Sequence, residues 1–323
     1  MTRGMILGKF LPPHLGHVYL GEFAQGLVDE LDVVVGTLAR EPIPGALRHA
    51  WMTELFPRAR VHHLAEELPQ DPAEHPEFWR LWREALLGIL PAPPDVVFAS
   101  EAYGHRLAAE LGARFVPVDP LRTALPISGT RIREAPRAHF AMLPRCVRPY
   151  FVRRVVVFGP ESTGKSTLAA KLARHYGTVW VPEYARTWLE TWARDPRPDD
   201  MPMVARGQAA SEDALARDAD RVLFADTDPL STLHWSEALF GAVHPEVRRL
   251  ADTRAGDLYL LGDVDVPFVE DPIRYLPGAR AAFFERSAAL LAERGRRVVI
   301  LRGGWEARWR TAVDAVDALL AEG

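Results

Sequence analysis

The apolar positions of the chain gather in short β-branched or aromatic runs, and most of these are followed by a longer stretch of helical periodicity. Runs at 5–10, 32–36, 60–64, 95–100 and 114–118 predict strands, and stretches at 18–27, 48–56, 77–89 and 105–111 predict helices between them. Strand and helix alternate, which predicts a mostly parallel, doubly wound α/β sheet. The pattern starts afresh further on, with strands at 155–158, 178–186, 221–228, 257–263 and 297–301 and a closing helix at 305–320. Ligands of such sheets sit at the carboxyl ends of the strands.

Composition adds bounds. The 323 residues, 48% hydrophobic and 25% charged, suit two globular domains. A segment with irregularly spaced prolines (136–154) closes the first, so the boundary falls near residue 150, giving 1–150 and 151–323. A net charge of −4 gives no ground for nucleic-acid or anionic-membrane partners. No apolar run reaches about 18 residues, and the N-terminus lacks the apolar core of a signal peptide, so the expected compartment is the cytoplasm. The lone Cys146 excludes an intrachain disulfide framework and C-x-x-C zinc sites.

The strongest single motif is Gly159-Pro-Glu-Ser162-Thr163-Gly164-Lys165-Ser166-Thr167, between the strand at 155–158 and a helical stretch. That is the context a phosphate-binding loop requires, and Lys165 is one of only three lysines in the chain. Backbone N–H groups of Gly159, Ser162, Thr163, Gly164 and Thr167 would turn toward phosphate oxygens at a helix N-terminus. Lys165 would reach the β/γ-phosphates of ATP, and the Ser166 hydroxyl would hold Mg²⁺. The run ending Asp226-Thr-Asp228 supplies carboxylates for the same ion, with Asp226 the metal candidate. Upstream, Glu183-Tyr-Ala-Arg186 ends a strand and brings a carboxylate and a guanidinium to that edge.

The first half carries a second anion site. His14-Leu-Gly-His17 places two imidazoles at a strand-to-helix turn, and Pro126-Ile-Ser128-Gly-Thr130-Arg-Ile-Arg133 opens another helix with an N-cap serine, hydroxyls and arginines. That composition reads as a second phosphate clamp. Lys9 precedes the first turn.

Together, His14-Leu-Gly-His17 and Ile127-Ser-Gly-Thr-Arg-Ile-Arg133 resemble the signature of the HxGH nucleotidyltransferase superfamily. The fuller strings around them, and Ser100-Glu-Ala-Tyr-Gly104, are similar to the adenylyltransferase half of NadR-type proteins, whose kinase half resembles Glu183-Tyr-Ala-Arg186 and Glu270-Asp-Pro-Ile-Arg274. The resemblance covers nearly the whole chain. It implies a nicotinamide-mononucleotide adenylyltransferase followed by a P-loop ribosylnicotinamide kinase, with ATP, nicotinamide riboside, NMN and NAD as ligands. For adenylyl transfer between two polyanions, His14, His17, Lys9, Ser128, Thr130 and Arg133 supply donors and positive charge without an evident acid/base pair. The resemblance puts His17 on the α-phosphate with His14 beside it, and Arg133 and Ser128 on the β/γ-phosphates. Some members carry a helix-turn-helix domain in front; this chain starts directly at the first strand, so DNA repression is not implied. The resemblance further implies an aromatic partner for the pyridinium ring, with Trp82 the first choice and Trp79 the second. In the kinase half it implies Glu183 as base for the 5′-hydroxyl, with Asp228 the alternative, and Arg274 as the lid arginine; Pro272 departs from the expected Gly. Arg280 and Arg286 flank the same stretch. Two rivals stay open: an HxGH adenylyltransferase for another acceptor joined to a different small-molecule kinase, and a non-catalytic NAD/ATP-sensing regulator. Homo-oligomerisation is left open by the sequence.

Overall fold

The computed structural model describes residues 1–270, 275 and 277–322. It divides into two compact units, Met1–Val147 and Arg148–Gly323. In the first, β1 (Arg3–Gly8), β2 (Glu30–Gly36), β3 (Arg60–Leu64), β4 (Val96–Ala99) and β5 (Arg114–Pro117) form one sheet of order β3-β2-β1-β4-β5, every pair parallel. Helices α1 (Leu15–Gln25), α2 (Gly45–Leu55), α3 (Phe78–Ile89) and α4 (Tyr103–Leu111) are the crossovers, and α5 (Gly129–Glu134) follows the last strand.

A sheet covered on both faces needs strands apolar on both sides. Val33, Val34 and Val35 are all fully buried for that reason. Val33, Val35, Ile6 and Phe98 meet Leu20 and Ala24 of α1 and Met52 of α2, whereas Met5, Val34 and Val97 meet Leu86 of α3 and Leu107 of α4. Each such side chain contributes roughly 2 kcal/mol by leaving water. Strand order reverses between β1 and β4, which opens a crevice at their carboxyl ends. The loops 9–14 and 100–102 leave the sheet there.

The second unit begins with the short α6 (Arg148–Phe151) and places β6 (Arg153–Phe158) at its centre. After α7 (Lys165–Tyr176) come β7 (Trp180–Val181), α8 (Tyr184–Trp192), α9 (Met201–Ala216) and β8 (Val222–Asp226). Then follow α10 (Pro229–Phe240), α11 (Pro245–Thr253), β9 (Leu258–Gly262), α12 (Arg280–Glu293), β10 (Val298–Leu301) and α13 (Trp305–Ala321). The order is β10-β9-β6-β8-β7, again all parallel. Val155, Val157, Phe224 and Leu260 pack on α7 and α13 through Ala169, Leu172, Ala312 and Val316.

Most strands match their expected ranges to within about two residues, but β7 and β8 stop early in a way that moves site residues. The strand expected to end in Glu-Tyr-Ala-Arg stops at Val181: Pro182 has no N–H for the ladder, Glu183 stands at the N-cap of α8, and Arg186 lies in that helix's first turn. The run 221–228 stops at Asp226, because Thr227 takes a left-handed backbone (φ 69°) and Asp228 becomes the N-cap of α10.

Candidate active sites

In the first unit a cavity of about 570 Å³ opens at the carboxyl ends of β1 and β4. His14, the N-cap of α1, and His17 in its first turn line it, with Lys9, Trp79, Trp82, Ser128, Thr130 and Arg133. The imidazoles stack with centroids 3.7 Å apart, and Phe10 meets His17 edge-on. The His14 backbone N–H donates to His17 Nδ1 at 3.3 Å, so the proton of a neutral His17 sits on Nε2 as a donor. Burial, then the charge of Arg122, lowers His14 to about 4; His17 is pushed well down by burial, by His14 and by Arg122. Both rings are therefore neutral donors near pH 7. His14 Nδ1 is buried without a hydrogen-bond partner among the described residues.

The wall opposite is the start of α5. Ser128 Oγ caps it by accepting from Arg131 N at 3.3 Å, and Arg133 donates to the Leu11 carbonyl and to Thr130 Oγ1. Gly129 is required here: a Cβ would lie 2.7 Å from the Leu11 carbonyl oxygen. Lys9 reaches Glu41 at 3.0 Å, and Trp82 is pinned by its indole N–H on Pro69 O at 2.8 Å, its ring against Gly36.

Sequence reasoning missed Arg48, which is fully buried and donates to the carbonyls of Lys9 and Ile43 and to the Glu41 carboxylate. Its partners lie up to 39 residues away, so no local pattern announces it. Arg122 and Tyr103 also line the cavity; Tyr103 stands within Ser100-Glu-Ala-Tyr-Gly104, and its hydroxyl donates to Leu7 O at 2.7 Å.

The second unit's cavity, about 490 Å³, brings together residues 161–167, Glu183, Arg186, Asp226, Trp188 and Trp235. Gly164, the N-cap of α7, has φ 83°, a left-handed backbone suited to glycine, and the first N–H groups of the helix have no partner within it. Lys165 Nζ donates to Pro160 O at 2.8 Å within the loop. Asp226 is almost fully buried and accepts from the Ser166 hydroxyl, while its Oδ1 has no partner among the described residues. Among those residues no three His, Cys, Asp or Glu cluster as a metal cage. A hydroxyl and one carboxylate with an open oxygen fit a Mg²⁺ that brings waters and nucleotide phosphates as its other ligands. Burial first, then the Asp226 charge, raises Glu183 to about 7.

Asp228 does not join this site. One oxygen accepts from the backbone N–H of Leu230 and Ser231, the other from the Tyr259 hydroxyl at 2.7 Å, and only 3% of the residue is exposed. Arg286 is taken up by Glu237 and Glu293, away from the cavity. Arg280 instead donates to Ser162 O and Val266 O, bracing the phosphate loop. The expected lid arginine, Arg274, lies outside the described residues, as do Asp271 and Pro272.

Residues 154–308 match a family model described as an AAA domain. The trifunctional NAD biosynthesis/regulator protein NadR of Escherichia coli K12 is 31% identical over 99% of this chain and 84% of its own length. The chain belongs to the NadR family. The Salmonella typhimurium NadR is 30% identical with nearly the same coverage. A nicotinamide-nucleotide adenylyltransferase of Aeropyrum pernix matches 50% of the chain and 95% of itself at 29% identity. Among solved structures, a NadR protein in complex with NR superposes with a TM-score of 0.83 at 26% identity, covering 100% of this chain and 97% of that one. A NadR protein in complex with NAD and AMP-PNP gives 0.78 with the same identity and coverage. Both cavities of this NadR-family chain thus belong to a fold for which nucleotide-bound structures exist.

Proposed function

We propose that the chain is a bifunctional enzyme of NAD synthesis, with an adenylyltransferase in the unit Met1–Val147 and a ribosylnicotinamide kinase in Arg148–Gly323. The second unit phosphorylates nicotinamide riboside with ATP. The first joins the resulting mononucleotide to the adenylyl group of ATP, giving NAD and pyrophosphate. The observation that carries this division is the contrast between the two cavities. The first offers paired neutral imidazoles, hydroxyls and arginines; the second sets a carboxylate poised near neutrality beside a phosphate loop.

The contrast matches the two nucleophiles. The phosphate of a mononucleotide is already an anion, so its oxygen attacks the α-phosphorus without a base while the α–β bridging bond breaks and pyrophosphate leaves. His14 and His17 donate to the α-phosphoryl oxygens, and Ser128, Thr130 and Arg133 hold the departing pyrophosphate. Lys9 adds charge at the rim. A ribose hydroxyl is a poor nucleophile. Glu183 takes its proton as the oxygen attacks the γ-phosphorus and ADP leaves, and Lys165 and the loop N–H groups carry the charge. Arg186, in the first turn of α8, lines the same cavity. Mg²⁺, held by Ser166 and Asp226, supplies further neutralisation of the phosphates when bound. Trp82 in the first cavity, and Trp188 or Trp235 in the second, present π faces for a pyridinium ring.

Supporting the reading are the NadR relatives and the adenylyltransferase match to half of the chain. The enzyme's substrates are small molecules. No described helix is long and apolar enough to cross a membrane; cytoplasmic residence is part of the proposal. The test is a pair of product assays with ATP and Mg²⁺, one with nicotinamide mononucleotide and one with nicotinamide riboside. NAD from the first, and mononucleotide or NAD from the second, is expected. ATP turnover with neither product would transfer the reading to other acceptors, and binding without turnover would favour a sensor.

A further inference from the structure

Between β5 and α5 the chain makes a tight loop shaped by one side chain. Asp119 accepts from the backbone N–H of Thr123 (2.8 Å) and Ala124 (3.1 Å) and from the Thr123 hydroxyl (2.9 Å). Asp119 and Arg122 both stand in left-handed backbone, φ 47° and 52°, without being glycine. Each such residue costs about 1–2 kcal/mol and persists only where its surroundings impose it, which happens most at functional sites. The result places Arg122 on the wall of the first cavity with His14 and His17. Its guanidinium donates to the Ile127 carbonyl at 3.2 Å and to the Glu101 carboxylate at 3.1 Å, which holds it beside the Ser128 cap.

All three cations of this cavity have partners: Lys9 has Glu41, Arg133 donates to Leu11 O and Thr130 Oγ1, and Arg122 has Glu101 and Ile127 O. What differs is their relation to the histidines. Arg122 is the cation whose field reaches both imidazoles. Two neutral histidines donate hydrogen bonds but bring no charge. A phosphoryl group caught between an incoming phosphate and a departing pyrophosphate calls for fixed positive charge at that point.

We propose that Arg122 is a catalytic residue of adenylyl transfer, its guanidinium stabilising the charge on the α-phosphoryl group beside His14 and His17. This rests on the assignment of adenylyl transfer to the first unit. The bonds made and broken are those given above, and Arg122 takes no proton.

The test uses the full chain with ATP, Mg²⁺ and nicotinamide mononucleotide. Arg122→Ala is expected to lower kcat about 100-fold, the loss typical of one preorganised donor, with a smaller change in KM for the mononucleotide. Added methylguanidinium should restore part of the rate. Phosphorylation of the riboside by the same preparation should be unchanged, and an unshifted thermal unfolding transition of the first unit reports on its folding. An Arg122→Ala rate within about threefold of the parent overturns the proposal. So does a loss that methylguanidinium leaves untouched, since the arginine would then only prop the Ile127 carbonyl. Absence of NAD with the parent chain would instead sink the adenylyltransferase assignment and the proposal with it.

Discussion

Three carboxylates show how much one residue's surroundings decide. Asp226 and Asp228 sit two apart, and a continuing strand would turn both to the same side. The left-handed Thr227 ends that equivalence: Asp226 stays at the phosphate loop, and Asp228 turns away to cap α10 and receive Tyr259. Asp228→Asn keeps one oxygen to accept from the N–H groups of Leu230 and Ser231 and turns its amide, now a donor, toward the Tyr259 hydroxyl oxygen, so kinase kcat should stay within about threefold; a general base would lose roughly 10²–10⁴-fold. Steady-state rates on the riboside separate the two. Glu183 carries the opposite expectation. Its ordinary pKa is raised to about 7 in the free enzyme, and a base works only when deprotonated. Kinase kcat/KM should therefore rise with pH through about 7 and level off above it. Glu183→Gln should remove that limb and cost about 10²–10⁴-fold in kcat. A flat profile in the parent chain between about pH 5.5 and 8.5 would take the role from Glu183.

Among the elements, the phosphate loop was legible because its chemistry is local: glycines, a lysine and a serine at fixed spacing between a strand and a helix. What braces it was not legible. Arg308 of α13 is 3% exposed and donates to the carbonyls of Thr163 (3.3 Å), Asp263 (2.9 Å) and Gly303 (2.9 Å) and to the Asp265 carboxylate. One guanidinium thus ties the phosphate loop to the ends of β9 and β10, across 145 residues of sequence in the case of Thr163. In the sequence it is one of two arginines on an amphipathic helix, in a chain rich in arginine. Arg308→Lys keeps the charge but cannot span a fork of carbonyls. Each buried carbonyl left without a donor costs about 1–3 kcal/mol. The variant should raise the KM for ATP in riboside phosphorylation and lower the unfolding temperature of the second unit, leaving NAD formation from the mononucleotide intact. Equal losses in both activities would mean that the brace serves the whole chain rather than its own loop. The early end of β7 was missed for a related reason: Pro182 and the α8 N-cap cut a strand that side-chain pattern alone extends to Arg186.

For the molecule as a whole, the double α/β architecture and its parallel order follow from repeated alternation of apolar runs and helical stretches. The crevices where the signatures lie follow from the strand order. Each unit has its own sheet and its own core, which is the physical basis for treating the two activities as separable. Separability has a sharp consequence. His17→Ala should stop NAD formation from the mononucleotide and leave riboside phosphorylation alone, and Lys165→Met should do the reverse. Neither variant by itself should then make NAD from riboside: the first should accumulate mononucleotide, and the second should not start. Mixed in one tube with ATP and Mg²⁺, the two should make NAD after a lag, because mononucleotide released by one chain is an ordinary substrate for the other. Chromatography over time would show mononucleotide rising first and falling as NAD appears. If the mixture instead stayed silent while each variant kept its remaining activity, the intermediate would have to pass within a single chain.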